Sequence, residues 1–170
     1  IYKDGPAETA GIETGDIILA IEKHEVESAQ DLRYRMATKG VGRSVAVDYM
    51  REKKIQTSNF DLIAPPETPL RDEYNVSGSG PLQGVKVMNL SPALSDELGI
   101  PTDQSGVMVV GVSNRSTSRR LGIKPGDKVV AINGAEIASV ADLKSVLSNP
   151  PAEWHLALDR GGRKLVLEVR

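Results

Sequence analysis

The stretch "GIKPGDKVVAING", residues 122–134, decides how this chain is read, because its first part is written twice. "GIETGDIILAI", residues 11–21, stands 111 positions upstream in the same frame, without a gap. Gly11, Ile12, Gly15, Asp16, Ala20, Ile21, Glu25, Ser28, Asp31 and Leu32 recur as Gly122, Ile123, Gly126, Asp127, Ala131, Ile132, Glu136, Ser139, Asp142 and Leu143. Val26, Arg33 and Met36 are replaced in kind by Ile137, Lys144 and Leu147. Solenoid repeats recur every ~20–50 residues. The longer period seen here implies duplicated domains.

Each copy has a legible local structure. Gly11 and Gly122 are placed to end short helical turns in the left-handed conformation. "TGD" and "PGD" are tight-turn signals. "DIILAIE" and "KVVAIN" are short and almost wholly apolar, as buried strands are. "NG" at 133–134 suits a hairpin turn. Ser28 and Ser139 are placed to cap helices over about 29–38 and 140–148. Val140, Leu143, Val146 and Leu147 form an apolar stripe on the second. Two strands then follow in each copy, "WHLALDR" and "KLVLEVR" in the second.

The bulk numbers exclude several classes. Of 170 residues, 26% are charged and 39% hydrophobic, ordinary values for a globular protein. Aromatics are only 4%, so the cores must be aliphatic. The net charge is −2 with no dense basic block, which argues against nucleic acid or an anionic membrane as partner. With no Cys, disulfides, thiol nucleophiles and Cys-ligated zinc are excluded. No apolar run approaches the roughly 20 residues of a membrane helix. Beginning at Ile1, without an export leader, the chain is expected to be a piece of a longer protein.

Between the copies, "APPETPLRDEYNVSGSGP" (64–81) is rich in Pro, Gly, Ser and charge and is expected to be a linker. The second copy has about 40 residues upstream of its repeat. They read as a strand "GVKVMNL", a helix "SPALSDELG" with Ser91 as cap and Pro92 in its first position, and a strand "GVMVVGV". The first copy has ten residues there. The expected organisation is a first domain over 1–63 without its opening strand, a linker over 64–81, and a complete domain over 82–170.

This order of elements, with "GIKPGDKVVAING" and "LQGVKVMNLSPALSDELGI", resembles a PDZ domain in the circularly permuted order of bacterial proteases. It is most similar to those of the HtrA/Deg (DegP-like) serine proteases. The resemblance covers 82–170 fully and 1–63 in part. It implies a mixed α+β, mainly β fold: two small, partly open barrels or sandwiches, each capped by two helices. A loop of the form x-Φ-G-Φ would hold a peptide's C-terminal carboxylate, and Leu82, Gln83, Gly84 and Val85 match it. Glycine lets successive N–H groups converge into an anion nest. The strand behind it would accept an added peptide strand by backbone hydrogen bonds. Val85, Val87, Val140, Leu143 and Leu147 would form an aliphatic pocket for an apolar last residue, with Lys144 at its rim. Gln83 stands where an apolar residue is usual, so it either adds a hydrogen bond or weakens the pocket. A Cβ at Gly84 is expected to spoil the nest while sparing the fold.

The resemblance also implies the partners: unfolded proteins or peptide C-termini, and the protease domain of a parent chain that is a homo-oligomer, trimeric or larger. It implies a bacterial periplasmic or envelope location. The parent would be a trypsin-like serine endopeptidase of protein quality control. The alternatives are the PDZ region of a site-2 or tail-specific protease, and a non-proteolytic scaffold.

No catalytic centre, metal site or cofactor is expected in these residues themselves. "SGSGP" (77–81) echoes a serine-protease nucleophile loop, but a nucleophilic serine needs a base and an orienting acid in reach. His24 and His155 each fall in or beside a strand of a different copy. Ser145 and Lys144 are helix neighbours that point apart. "DELGIPTD" lacks the alternating oxygen ligands of a calcium loop. Asp16 and Asp127, repeated in both copies, fit a turn or cap role.

Overall fold

The computed structural model describes residues 1–2 and 4–169, and it divides into two compact units, Ile1–Pro66 and Glu67–Arg170. The first contains α1 (Pro6–Thr9), β1 (Ile17–Ile21), β2 (His24–Glu25), α2 (Ala29–Lys39), β3 (Ser44–Arg51) and β4 (Lys54–Asp61). Its strands form a four-stranded antiparallel sheet in the order β2-β1-β3-β4. Ile12, Ile21, Val45, Val47, Tyr49 and Phe60 are its buried core. Alternation does this work: along β3, Val45, Val47 and Tyr49 point inward while their neighbours are partly or fully exposed.

The second unit contains β5 (Tyr74–Asn75), β6 (Val85–Asn89), α3 (Pro92–Leu98), β7 (Val107–Val112), α4 (Thr117–Arg120), β8 (Lys128–Ile132), β9 (Ala135–Glu136), α5 (Val140–Ser148), β10 (Trp154–Arg160) and β11 (Arg163–Val169). Its sheet runs β11-β10-β8-β7-β6-β5, with β9 paired to β8, and does not close into a ring. The mainly β, two-domain architecture is therefore as the resemblance implies, with sheets that stay open. Residues 64–81, expected as a linker, are divided. From Glu67 onward they belong to the second unit, and Tyr74–Asn75 is a strand of its sheet.

The helix signals act as the sequence indicates. Ser28, Ser91, Ser116 and Ser139 each accept a backbone N–H from three residues on, at Asp31, Leu94, Arg119 and Asp142. Asp142 completes a capping box with Ser139. α5 buries Val140 and Leu143 completely, whereas no residue of α2 is fully buried. The difference is what covers each helix. The first unit has, among its described residues, no counterpart of β6 and β7.

The repeated aspartates hold the same clamp in both units. Asp16 accepts the N–H of Glu13 and the Nε and Nη2 of Arg51, whose Nη2 also donates to the Gly11 carbonyl. Asp127 accepts the N–H of Lys124 and the same two nitrogens of Arg160, whose Nη2 donates to the Gly122 carbonyl. One carboxylate closes the turn and one guanidinium ties that turn to the following strand, in the two-pronged geometry arginine favours. This is the turn role expected of the aspartates, enlarged by an arginine.

At the start of β6, Gly84 has φ 85° and packs against the N-cap of α4. A Cβ on it would lie 2.3 Å from the Cβ of Ser116. The sheet and this short helix meet there with no room for a side chain.

Two predictions follow from these contacts. Arg51 holds the Asp16 carboxyl down at about 2, from an ordinary 3.8. The clamp's contribution to stability is then present above about pH 3.8 and is lost as the pH falls through about 2. Arg51→Gln should return Asp16 toward the ordinary carboxylate range, read by carboxyl-carbon NMR titration; equal midpoints in both proteins would contradict the clamp. Gly84→Ala should destabilise the second unit by about 3 kcal/mol, from left-handed backbone strain plus overpacking. The urea midpoint of Trp154 fluorescence measures this, and an unmoved midpoint would refute it.

Candidate functional site

The residues expected to form a peptide groove come together in the second unit. Leu82, Val85, Val87, Val140 and Leu143 are all buried in one cluster, and Leu147 packs against it from the last turn of α5. β6 forms one wall, because Val85, Val87 and Asn89 alternate inward. α5 forms the other, presenting the stripe that begins at Val140. Lys144 stands at the rim, half exposed.

The space between these walls is filled by the chain itself. Residues 74–76, in the stretch expected to be a linker, lie extended and antiparallel along β6, with Tyr74 opposite Val87 and Asn75 opposite Lys86, and follow a left-handed turn of the backbone at Asp72, φ 41°. At one end, the Val76 N–H donates to the Val85 carbonyl at 2.8 Å, and the Val76 carbonyl accepts the Gly84 N–H at 2.9 Å. At the other, the Asn89 N–H donates to the Arg71 carbonyl at 2.7 Å. The free edge expected on β6 is therefore already paired.

Side chains of this segment alternate as a strand requires. Val76 is buried in the cluster with Leu82, Val85 and Leu143, and Tyr74 packs against it. The ring of Tyr74 lies under the Lys144 ammonium, 5.2 Å from nitrogen to ring centre. Asp72, on the same face, accepts from Lys144 Nζ at 2.7 Å. Between them, Glu73 pairs with Lys86 on the opposite face, and Asn75 is exposed. Burying Val76 and much of Tyr74 contributes about 3 kcal/mol. The exposed ion pairs add about 0–1 kcal/mol each.

The loop 82–85 is not an open nest. The Gln83 N–H is used by the Gly80 carbonyl, the Gly84 N–H by the Val76 carbonyl and the Val85 N–H by the Leu82 carbonyl. A backbone carbonyl thus stands where the expected reading puts a carboxylate oxygen. Of the two roles expected of Gln83, the added hydrogen bond is the one seen, and it is made to α4. Its Oε1 accepts the Thr117 N–H at 2.9 Å, at the first position of α4, and its own carbonyl accepts from Ser118 Oγ at 2.8 Å. Nor can a Cβ at Gly84 spare the fold, since it would strike Ser116.

Sequence reasoning missed Asn89. Its Oδ1 accepts the Val140 N–H at 2.7 Å, satisfying the first turn of α5, and its Nδ2 donates to the Leu70 carbonyl at 2.9 Å. One buried amide therefore joins β6, α5 and the incoming segment. A polar residue at an inward position of an apolar strand was the available signal. Arg71, just before the paired residues, is held by Glu67 and by Glu97 of α3.

In the first unit, the same region is an open apolar hollow of about 310 Å³, with Ile12, Ile18, Leu32, Met36, Val47 and Phe60 in its lining. Leu32 and Met36 are the counterparts of Leu143 and Leu147. His24 and His155 lie in separate units and are both exposed; Ser77 and Ser79 are exposed too. Among the described residues, no three His, Cys, Asp or Glu side chains are grouped to hold a metal ion.

A PDZ domain family model matches residues 1–62 and 81–170. A protein of Chlamydia muridarum named probable periplasmic serine endoprotease DegP-like is 34% identical over 153 residues, 90% of this chain and 30% of the relative. Periplasmic serine endoprotease DegP of Salmonella typhimurium is 25% identical over 98% of this chain and 32% of its own length. The chain thus spans about a third of these relatives. A crystal structure of the HtrA3 PDZ domain bound to a phage-derived ligand has a TM-score of 0.44 and 27% identity, covering 51% of this chain and 80% of that one. The chain belongs to the PDZ domain family, carries it in two copies, and corresponds to the PDZ region of DegP/HtrA-like serine proteases.

Proposed function

We propose that this chain is the peptide-reading and regulatory region of a periplasmic serine endopeptidase of protein quality control. In the second unit, C-terminal or extended segments of unfolded proteins add as a strand to β6, between it and α5. The protease domain of the parent chain, in a homo-oligomer, would be the partner that acts on what is held. Relatives named as periplasmic serine endoproteases support the location and the parent activity.

One observation carries the reading. An extended segment already occupies this groove, with its Val76 carbonyl on the Gly84 N–H and with Tyr74 and Val76 directed at the groove walls. The groove is therefore shaped to take a strand that ends in an aliphatic residue. A free carboxylate in place of that carbonyl would bring a full charge to the same N–H, and charge-assisted hydrogen bonds are about twice as strong as neutral ones.

The test is a titration of the isotopically labelled chain with a hexapeptide of sequence Arg-Asp-Glu-Tyr-Asn-Val, free at its C-terminus, at millimolar concentration. Amide shifts are expected at Gly84, Val85, Val87 and Leu143, and should weaken several-fold when the peptide's carboxylate is amidated. Absence of shifts in the second unit, or shifts indifferent to amidation, would count against the reading.

A further inference from the structure

The segment in the groove has the arrangement of a ligand, not of an ordinary sheet strand. Only Tyr74 and Asn75 pair in regular register with β6. Three of its side chains meet the receptor: Asp72, exposed, reaches the Lys144 ammonium; Tyr74 lies under the same ammonium and packs on the apolar cluster; Val76 enters the Leu82–Val85–Leu143 cluster. Beyond Val76 the chain turns back through Ser77–Gly80, where Gly78 and Gly80 have φ of 88° and 123°. It re-enters the loop at Leu82. Gly80 lies against the indole of Trp154, with its Cβ position 3.0 Å from Cζ2.

Resting on the peptide-reading role proposed above, we propose that Asp72–Val76 is a built-in competitor. It keeps the groove of the second unit closed, and an external tail of the same chemistry must displace it. Such tails carry an acid at the fifth position from the end, an aromatic residue at the third and valine or a similar aliphatic residue at the last, with a free carboxylate. The positions between, occupied here by Glu73 and Asn75, face outward and discriminate little.

The tether explains why displacement is selective. A segment joined by a short flexible connection faces its site at an effective concentration of about millimolar. If segment and free tail bind equally well, at about 10 µM, the groove is open about one part in a hundred, and external affinity falls by about that factor. A tail that lacks one of the three groups does not compete. One that adds the carboxylate does.

The experiment compares the full 170-residue chain with Tyr74→Ala, which removes the central anchor of the segment and changes no residue of β6 or α5. Asp72→Lys, at an exposed position, is the second variant. Far-UV circular dichroism checks that both remain folded. Calorimetry with the Arg-Asp-Glu-Tyr-Asn-Val acid should give affinity about tenfold tighter for Tyr74→Ala than for the natural chain, and a smaller gain for Asp72→Lys. Fluorescence of Trp154, the single Trp of the chain, should shift on binding as Gly80 leaves its ring. Replacing the peptide's Tyr by Ala, or its Asp by Lys, should weaken binding to every form. Equal affinity of the natural chain and both variants for the peptide would overturn the competitor while leaving the groove a peptide site. Binding by none of them would overturn the peptide-reading role as well. Equal affinity for the Tyr and Ala peptides would overturn the assigned preference.

Discussion

The second unit depends on how the outer edge of β6 is satisfied. A strand at a sheet margin presents a row of N–H and C=O groups, and where it also borders an apolar cluster it invites any extended chain. Here the cluster is the Leu82–Val85–Val87–Leu143 wall, and α5 stands beside it as a second wall. The chain meets both demands with one segment. Backbone groups at Arg71, Tyr74–Asn75 and Val76 pair the edge, and the side chains of Tyr74 and Val76 cover the cluster. Asn89 fixes where this begins, because its amide addresses α5 and the incoming chain together.

The two copies separate what the fold needs from what the groove needs. The Asp–Arg clamp between the turn and the strand hairpin occurs in both, at Asp16 with Arg51 and at Asp127 with Arg160. It therefore belongs to the shared scaffold. Among the described residues, the strand β6, the loop that enters it and the segment along its edge are present in the second unit and have no counterpart in the first. Correspondingly, α5 buries Val140 and Leu143, whereas the equivalent face of α2 lines an open hollow.

Much of this was legible in residue order, and the failures have physical causes. Repeat, caps and most strands were accessible because each depends on a local pattern: an apolar run, a Ser three residues before an N–H, a Gly at positive φ. Arg51 and Arg160 were not, since α5 is two residues shorter than α2 and the constant offset fails before reaching the hairpins. "DEYNV" was hidden for another reason. Its Pro-rich and Gly-Ser flanks carry every mark of a linker, and a strand of two paired residues is too short to show periodicity. Only the inward Tyr74 and Val76, with Asp72 beside them at the Lys144 rim, distinguish it, and that requires knowing the groove first. Gln83 was visible as an oddity, but its partner, the N–H of Thr117, is 34 residues away.

What distinguishes a docked segment from a built-in strand is the share of its energy that is local. β10 and β11 align seven residue pairs along a hairpin joined by a two-residue turn, so their pairing is reinforced along its whole length. β5 aligns two. Its remaining hold consists of two apolar anchors, a few end hydrogen bonds and ion pairs on exposed groups, which are worth about 0–1 kcal/mol each. Opening it exposes Val76, Tyr74 and the face of the cluster they cover, while the pairing of β6, β7, β8 and β10 with one another does not involve it. Elements with few buried contacts and exposed hydrogen bonds open at far lower free energy than the domain unfolds. The same composition that made 64–81 read as a linker, short on apolar residues and rich in Gly, Ser and charge, is what allows this strand to be closed without being locked.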